Sequence, residues 1–314
     1  MTGGPRTFDR SAIPWMIAGT AIVALTVTLA WFFRRDSSPA QELALKASRV
    51  DLVGQIQVSL ASASEAEKSA VLSTTDQGSQ VFADQARAAA REVERARLEL
   101  GKLLATGGTR AEQDLLARFS EAFAKLRQVD EELLELAVQN TNLKAYGLAF
   151  GPAAEAGAEL DAALARVAGE PGAPDAARVQ AMAFAARLAA LRIQALLAPH
   201  IAEESDARMD QLEASMAREE AQVRQSLAGL GGVPRLKGSA DLAAAASSFA
   251  RFGEVKERIL RFSKQNTNVR SLALSLNQKR KAMLVCLDAL GALRQAILDE
   301  PIAGVTYGRP VSPR

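Results

Sequence analysis

Cysteine and histidine are nearly absent from this sequence, which has one residue of each among its 314. A lone cysteine, Cys286, excludes an intramolecular disulfide, and its apolar neighbours predict a small buried side chain. A lone histidine, His200, leaves no His pair and no Glu-x-x-His pair for a metal site between helices. Because no phosphate-binding glycine motif is present either, we expect no catalytic residue, no metal ligand, no cofactor and no enzyme activity.

Aromatic residues and clusters of like charge are also scarce. Only 5% of residues are aromatic, and the formal net charge of +2 is not gathered into a block of one sign. A nucleic-acid partner is therefore not expected, because binding to phosphates requires a basic patch. Alanine and leucine are abundant beside 24% charged residues, a composition typical of long helices packed side by side. We predict an all-α fold class.

One long hydrophobic run lies near the N-terminus. Residues 12–33 contain no charged side chain, and a helix of this length would measure about 33 Å, enough to cross a hydrocarbon core. The run ends in Trp-Phe-Phe-Arg-Arg instead of a small-residue cleavage site, so we predict an uncleaved transmembrane anchor in the lipid bilayer. Arg6 and Arg10 on one side balance Arg34 and Arg35 on the other, and charge counting therefore does not fix the orientation.

Glycine and proline are clustered, and the clusters mark the predicted turns at 107–108, 169–174 and 229–238. These turns separate four helix-rich segments, which cover residues 40–104, 110–167, 175–227 and 239–298. Softer interruptions at 73–78 and at Pro199 are each compatible with a kink or a turn. The predicted organisation is an N-terminal tail (1–11), the anchor (12–33), a first helical repeat (40–169), a second helical repeat (175–300) and a C-terminal tail (301–314).

A shift of 126 positions superposes two parts of the sequence. Residues 139–142 and 265–268 both read Gln-Asn-Thr-Asn, and apolar positions on either side also correspond. An internal duplication is the economical explanation. We therefore predict an elongated antiparallel four-helix bundle built from two repeated helical hairpins, with two tandem short four-helix bundles as the alternative.

A heptad frame places Asn140 and Asn266 at core positions of their helices. The same frame extends the apolar stripe to Phe150 in the first copy and to Leu276 in the second. We therefore predict that both asparagines point inward from continuous helices. Chain lengths counted from the glycine turns predict that Asn140 is level with Asp76, and the equivalent count in the second copy places Asn266 near the level of Pro199 and His200.

This predicted polar layer has three interpretations. In the first, the inward asparagines fix helix register, as a buried asparagine does in coiled coils. In the second, the layer forms a small pocket for an anionic or amide-bearing ligand. The candidate ligand-binding residues are Asn140, Thr141, Asn142, Lys144, Asn266, Thr267, Asn268 and Arg270. The third, a polar turn between shorter helices, is disfavoured because no proline interrupts residues 139–150.

The order of the segments along the chain is similar to that in a known protein family. The anchor leads into residues 42–60, then into Glu-Ala-Glu-Lys-Ser-Ala-Val-Leu at 65–72 and a block at 109–164 that contains the first Gln-Asn-Thr-Asn run. This order resembles the four-helix-bundle sensor domain of methyl-accepting chemotaxis receptors and related sensor kinases. The resemblance implies a bundle outside the cytoplasmic membrane, often dimeric, that binds small molecules or periplasmic proteins between its helices. Because no apolar run follows the second repeat, we do not expect this polypeptide to signal as a receptor on its own.

We expect a membrane-anchored extracytoplasmic helical-bundle protein with a sensory or ligand-binding role. The alternative is a structural or scaffold subunit that binds a protein partner in a membrane complex. Besides the lipid bilayer, the expected partners are a small-molecule ligand and either a second copy of the chain, forming a homodimer, or a membrane protein. The expected location is the inner (cytoplasmic) membrane, spanned once, with the bundle on the periplasmic side.

Overall fold

The computed structural model describes residues 39–169 and 174–302, and this part of the chain is helical without any strand. The predicted all-α fold class is confirmed for these ranges. The predicted anchor at 12–33, the tail at 1–11 and residues 303–314 lie outside the described residues.

Within the described ranges, α-helices follow one another with short turns between them. They are α1 (Pro39–Leu72), α2 (Asp76–Gly107), α3 (Arg110–Ala137), α4 (Thr141–Leu148), α5 (Ala154–Ala168), α6 (Ala176–Ala202), α7 (Asp206–Gly231), α8 (Ala240–Gln265), α9 (Thr267–Leu274) and α10 (Arg280–Asp299). A π-helical turn at Ala149–Ala153 joins α4 to α5, and another at Ser275–Lys279 joins α9 to α10. We call the joined pairs rod α4–α5 and rod α9–α10. A 3-10 turn, Pro234–Leu236, precedes α8.

The interruption predicted at 73–78 is a turn. The hydroxyl of Thr75 caps α2 by accepting a hydrogen bond from the Gly78 amide at 3.0 Å. A Cβ atom at position 78 would lie too close to the hydroxyl oxygen of Ser73, so a larger residue there requires the Ser73 side chain to rotate. Pro199, in contrast, lies inside α6, which continues to Ala202.

The helices associate in two groups, and neither group consists of one repeat alone. In the first helical group, α1, α2 and α3 of the first repeat pack with rod α9–α10 of the second. In the second helical group, α6, α7 and α8 of the second repeat pack with rod α4–α5 of the first. The predicted elongated four-helix bundle, in which each repeat forms one helical hairpin, is not confirmed. The contacts instead show an exchange, in which each repeat contributes its last rod to the other group.

Each group has an apolar core of its own. In the first, Phe119 and Phe123 stack with their ring centroids 5.7 Å apart. The same buried cluster includes Ile56 of α1, Leu100 of α2, and Cys286 and Leu290 of α10. The second core includes Leu160, Ala186, Ile193, Val223 and Phe252. Cys286 is fully buried among apolar side chains, as its sequence neighbours predicted.

The two repeats have the same local backbone geometry around their Gln-Asn-Thr-Asn runs. Asn140 and Asn266 both have a left-handed conformation, with φ of 50° and 53°. In each copy an eight-residue helix follows and leads into a five-residue π-turn. Pro152 lacks an amide hydrogen, which explains the lost α-helical bond in the first π-turn. The second π-turn contains no proline.

The predicted heptad frame is wrong beyond these breaks. Phe150 and Leu276, which the frame placed in the core, are 71% and 61% exposed. A left-handed residue followed by a π-turn changes the helical phase, and Ala145, Ala149 and Ala153 face the core in the first copy instead.

Among the described helices, α6 alone is long and apolar enough to cross a membrane by length and composition. Core helices of soluble proteins can share this composition. In this fold α6 contacts α5, α7 and α8, although only 33% of its most apolar window is buried. Many of the apolar side chains of α6 are therefore not buried against these neighbouring helices.

Candidate functional site

The two Gln-Asn-Thr-Asn runs meet where the rods pass from one helical group to the other. Helix α3 ends at Ala137, and α4 begins at Thr141 after the left-handed Asn140. Helix α8 ends at Gln265, and α9 begins after the left-handed Asn266. Asparagine tolerates this backbone better than most residues because its short side chain forms local or tertiary hydrogen bonds there. We call the contact between the runs the crossing layer; it comprises Asn140, Thr141, Asn142, Asn266, Thr267 and Asn268.

The backbone contacts in the crossing layer are reciprocal. The Thr141 amide donates to Thr267 Oγ1 at 3.2 Å, and the Thr267 amide donates to Thr141 Oγ1 at 3.1 Å. The two hydroxyl oxygens lie 3.1 Å apart. One residue further along, the Asn142 amide donates to Asn268 Oδ1 at 3.1 Å, and the Asn268 amide donates to Asn142 Oδ1 at 3.2 Å. The equivalent residues of the two repeats therefore cap the first turns of each other's helices.

The asparagine amides complete the crossing layer. Asn142 Nδ2 donates to Asn266 Oδ1 at 2.7 Å, and Asn268 Nδ2 donates to Asn140 Oδ1 at 2.9 Å. Asn142 Nδ2 also donates to the carbonyl oxygen of Ile201 at 2.7 Å. Because every one of these groups is buried or half-buried, the bonds replace those that water would supply.

Each left-handed asparagine also reaches the hairpin that precedes it in its own repeat. Asn140 Nδ2 donates to Ser79 Oγ at 2.9 Å and to Asp76 Oδ1 at 3.2 Å. Asn266 Nδ2 donates to the carbonyl oxygen of Glu203 at 2.8 Å. The prediction that Asn140 is level with Asp76 is therefore confirmed. Through these bonds the crossing layer holds together α2, the α6–α7 turn and both rods.

The two cations predicted for the ligand pocket lie outside the crossing layer. Lys144 Nζ pairs with Asp76 Oδ2 at 2.9 Å and donates to the Gln139 carbonyl oxygen at 2.8 Å. Arg270 pairs with Asp206 at 3.6 Å. Both side chains are exposed, and the hydrogen bond from Lys144 lowers the pKa of Asp76 below its ordinary value. These pairs link each rod to the start of the neighbouring hairpin helix.

The prediction that both asparagines point inward is confirmed, because Asn140 is 1% exposed and Asn266 is fully buried, whereas the ligand pocket of the second interpretation stays a prediction. None of its buried side-chain nitrogen and oxygen atoms lacks a hydrogen-bond partner, so its donors are directed at one another. The asparagines do not lie in continuous helices either, because each occupies a left-handed break. The backbone adopts the third interpretation, a polar break between shorter helices, which the sequence disfavoured.

His200 is a structural residue of the second helical group. Its side chain is fully buried, with Nδ1 2.7 Å from Ser263 Oγ and Nε2 2.9 Å from Glu213 Oε1. The Ser263 hydroxyl also lies 2.9 Å from the His200 carbonyl oxygen. These bonds fix the last turn of α6 to α7 and α8, and both ring nitrogens are occupied.

Sequence reasoning missed a buried ionic cluster in the first helical group. Lys279 Nζ, at the end of the second π-turn, lies 2.8 Å from Glu67 Oε2 and 3.0 Å from Asp130 Oδ1. Burial raises the pKa of Asp130 above its ordinary value, against the attraction of Lys279. Burial, and then the charge of Asp130, raise the pKa of the Cys286 thiol to about 11, so the thiol is neutral and weakly nucleophilic. The signal for the cluster was Glu67, a charged residue in the apolar stripe of α1.

A second ionic contact fixes the end of rod α9–α10 beside α1. Arg49, only 5% exposed, lies 3.2 Å from Glu300 Oε2 and 3.7 Å from Glu112 Oε2. Lys46 Nζ donates to the carbonyl oxygens of Leu298 at 2.7 Å and Glu300 at 2.6 Å. The last rod is thereby attached to the first helix that follows the predicted anchor.

No protein-family model matches the chain, and no curated protein matches it. In residues 39–169 and 174–302, no group of three or more His, Cys, Asp or Glu side chains is arranged to hold a metal ion. The candidate function therefore depends on the geometry described above.

Proposed function

We propose that this chain is a membrane-anchored helical scaffold that binds a protein partner in a membrane complex and catalyses no reaction. The observation that carries the proposal is the crossing layer, whose polar groups bond to one another instead of facing a ligand. Such a layer joins two helical groups into one body. A stiff body of this kind suits a subunit that holds or spaces a partner near the membrane.

A pull-down from membranes tests the scaffold role. The full chain, tagged at its C-terminus and extracted in mild detergent, is expected to retain one other protein in a fixed ratio. The matched control carries residues 1–38 fused to the tag, which keeps the predicted anchor and removes the helical body. A full chain with no partner in a fixed ratio, or a control that retains the same protein, contradicts the proposal.

The location is part of the same proposal. We place the helical body on the extracytoplasmic side of the inner membrane, spanned once by residues 12–33, and the support is the resemblance to chemoreceptor sensor domains. Protease added to spheroplasts is expected to digest residues 39–302, while a cytoplasmic marker protein stays intact. Digestion that requires lysis of the spheroplasts would place the body in the cytoplasm.

A sensory or ligand-binding role is the second candidate. It is favoured by the same resemblance and by the groove between α5 and α6, whose volume of about 430 Å³ is in the range of small-molecule sites. Thermal unfolding of a fragment covering residues 39–302 is expected to show a raised melting temperature with a metabolite that binds. A broad metabolite screen without any shift argues against this role and leaves the scaffold role intact.

A further inference from the structure

An open apolar groove runs between α5 and α6 on the outside of the second helical group. Ala154, Gly157 and Ala158 line it, and Phe184 and Leu191 stand at its rim. Phe184 is 64% exposed and Leu191 is 62% exposed. Large apolar side chains beside a hollow of small residues are typical of a protein-binding surface, since burying them is favourable.

The polar groups of the groove argue against a lipid as its occupant. Asp161 and Arg187 lie opposite each other across it and form two hydrogen bonds, at 2.6 and 3.1 Å. Transferring such a pair into hydrocarbon is costly, because its remaining hydrogen-bonding groups would lose water. An occupant must therefore offer apolar contacts together with polar groups that match one acid and one base.

The groove itself offers both the apolar contacts and the acid and base that its occupant must supply. Its charged pair has no net charge, and the same face carries both protruding side chains and a hollow lined by small residues. A two-fold contact requires such a self-complementary patch, because each copy presents the same residues to the other. We propose that the α5/α6 groove is a docking surface for a second copy of this chain.

The dimensions of the surface agree with the proposal. Helix α5 has 15 residues and is about 22 Å long, and a face two helices wide measures about 20 Å. The face that the two helices share therefore covers roughly 450 Å², and two such faces bury about 900 Å², the size of a weak interface. Copies tethered in the same membrane also meet at a raised effective concentration. The proposal goes beyond the scaffold role, because it names a contact between copies and leaves the further partner open.

Disulfide cross-linking of the full chain in membranes tests the proposal. Ala158→Cys places an exposed thiol in the groove, while the native Cys286 is buried and has a raised pKa of about 11, so it contributes little background. Under mild oxidation, Ala158→Cys is expected to give a species of twice the chain mass. The matched control is Leu284→Cys, which lies at the equivalent position of the other repeat, on the exposed face of α10.

Changes on the groove rim sharpen the test. Leu191→Glu is expected to lower the yield of the cross-linked Ala158→Cys dimer about tenfold, since it buries a charge in an apolar contact. Leu284→Glu, the same change at a leucine that is 53% exposed, is expected to leave the yield unchanged. Arg187→Glu alone is expected to prevent the dimer. Arg187→Glu combined with Asp161→Lys restores the self-complementary pair and is expected to recover it.

Four results would overturn the proposal. The first is that Ala158→Cys gives no dimer, and the second is that Leu284→Cys cross-links equally well. The third is an adduct between Ala158→Cys and a different protein. The fourth is that Leu191→Glu leaves the yield of dimer unchanged while the melting temperature is preserved. A monomeric chain that still retains another protein in the pull-down contradicts this proposal alone. A dimer without any further protein contradicts the scaffold role alone.

Discussion

At the scale of single residues, Asn140 and Asn266 combine two tasks that few residue types can perform together. Each adopts a left-handed backbone, which costs most residues free energy, and each bonds both to the other repeat and to its own hairpin. Glycine would accept the backbone but supply no bonds. Other polar residues would supply bonds but resist the backbone.

This combination predicts an order of stability at position 266. Asn266→Gly is expected to destabilise the protein by about 1 to 3 kcal/mol, because the Asn142 side chain and the Glu203 carbonyl lose a buried partner. Asn266→Ala is expected to cost about 1 kcal/mol more, since alanine also resists the left-handed backbone. Urea unfolding of residues 39–302 measures both.

The control for this comparison is Asn277→Ala. Asn277 is exposed, and its side chain donates only to the Ala273 carbonyl oxygen at 3.0 Å. A change within about 0.5 kcal/mol is expected. Equal losses for Asn266→Gly and Asn266→Ala would show that the backbone conformation contributes nothing.

The candidate residues could be found from the sequence, but their geometry could not. The repeated Gln-Asn-Thr-Asn run identified Asn140, Thr141 and their counterparts as a layer shared by both copies. The residues around the runs favour a helix, and only tertiary hydrogen bonds determine that the helix breaks there. Lys144 was placed in the pocket because the predicted helix continued through Asn140, whereas the break directs Lys144 to Asp76.

At the scale of secondary-structure elements, rod α9–α10 is held in the first helical group by a buried cation. Lys279 is 3% exposed and faces Glu67 on α1 and Asp130 on α3. Two carboxyl groups thus share one ammonium group in the core. The arrangement is stable only while Lys279 is present, because two buried carboxylates repel each other.

Lys279→Met is therefore expected to destabilise the protein by about 3 to 5 kcal/mol at pH 7. The loss should be smaller at pH 4, because protonation of Asp130, whose pKa burial raises, removes its repulsion with Glu67. Unfolding of residues 39–302 at both pH values measures it. Lys125→Met is the control, because Lys125 forms a fully exposed pair with Glu121 and its loss is expected to leave the stability nearly unchanged. An equal loss at both pH values would contradict the prediction.

Asp130→Asn tests the other side of the cluster. Since the pKa of Asp130 is raised in the folded state, the folded protein binds this proton more tightly than the unfolded chain does. Protonated Asp130 therefore contributes its full share to the free energy of unfolding below its ordinary pKa of 3.8. This contribution is lost as the pH rises through the raised pKa that Asp130 has in the folded protein. Asparagine does not ionise, so Asp130→Asn is expected to be more stable than the parent at pH 7. The difference in stability between the variant and the parent should disappear below pH 3.8. The prediction is contradicted if Asp130→Asn is not more stable than the parent at pH 7.

At the scale of the whole molecule, the exchange of rods makes the two repeats mutually dependent. Each helical core contains side chains from both repeats, and residues far apart in the chain share one buried cluster. The helices and most turns could be predicted from the sequence, because apolar periodicity and glycine or proline clusters are local signals. The exchange could not, because two similar repeats present similar apolar faces and either rod could fill either group.

The exchange is tested most directly by cutting the chain between the repeats. Residues 170–173, which connect α5 to α6 in sequence, are replaced by a protease site in a fragment covering residues 39–302. After cleavage, the two pieces are expected to elute together as one particle and to unfold in a single transition, because rod α4–α5 belongs to the second group and rod α9–α10 to the first. Separation into two pieces that each remain folded would contradict the exchange.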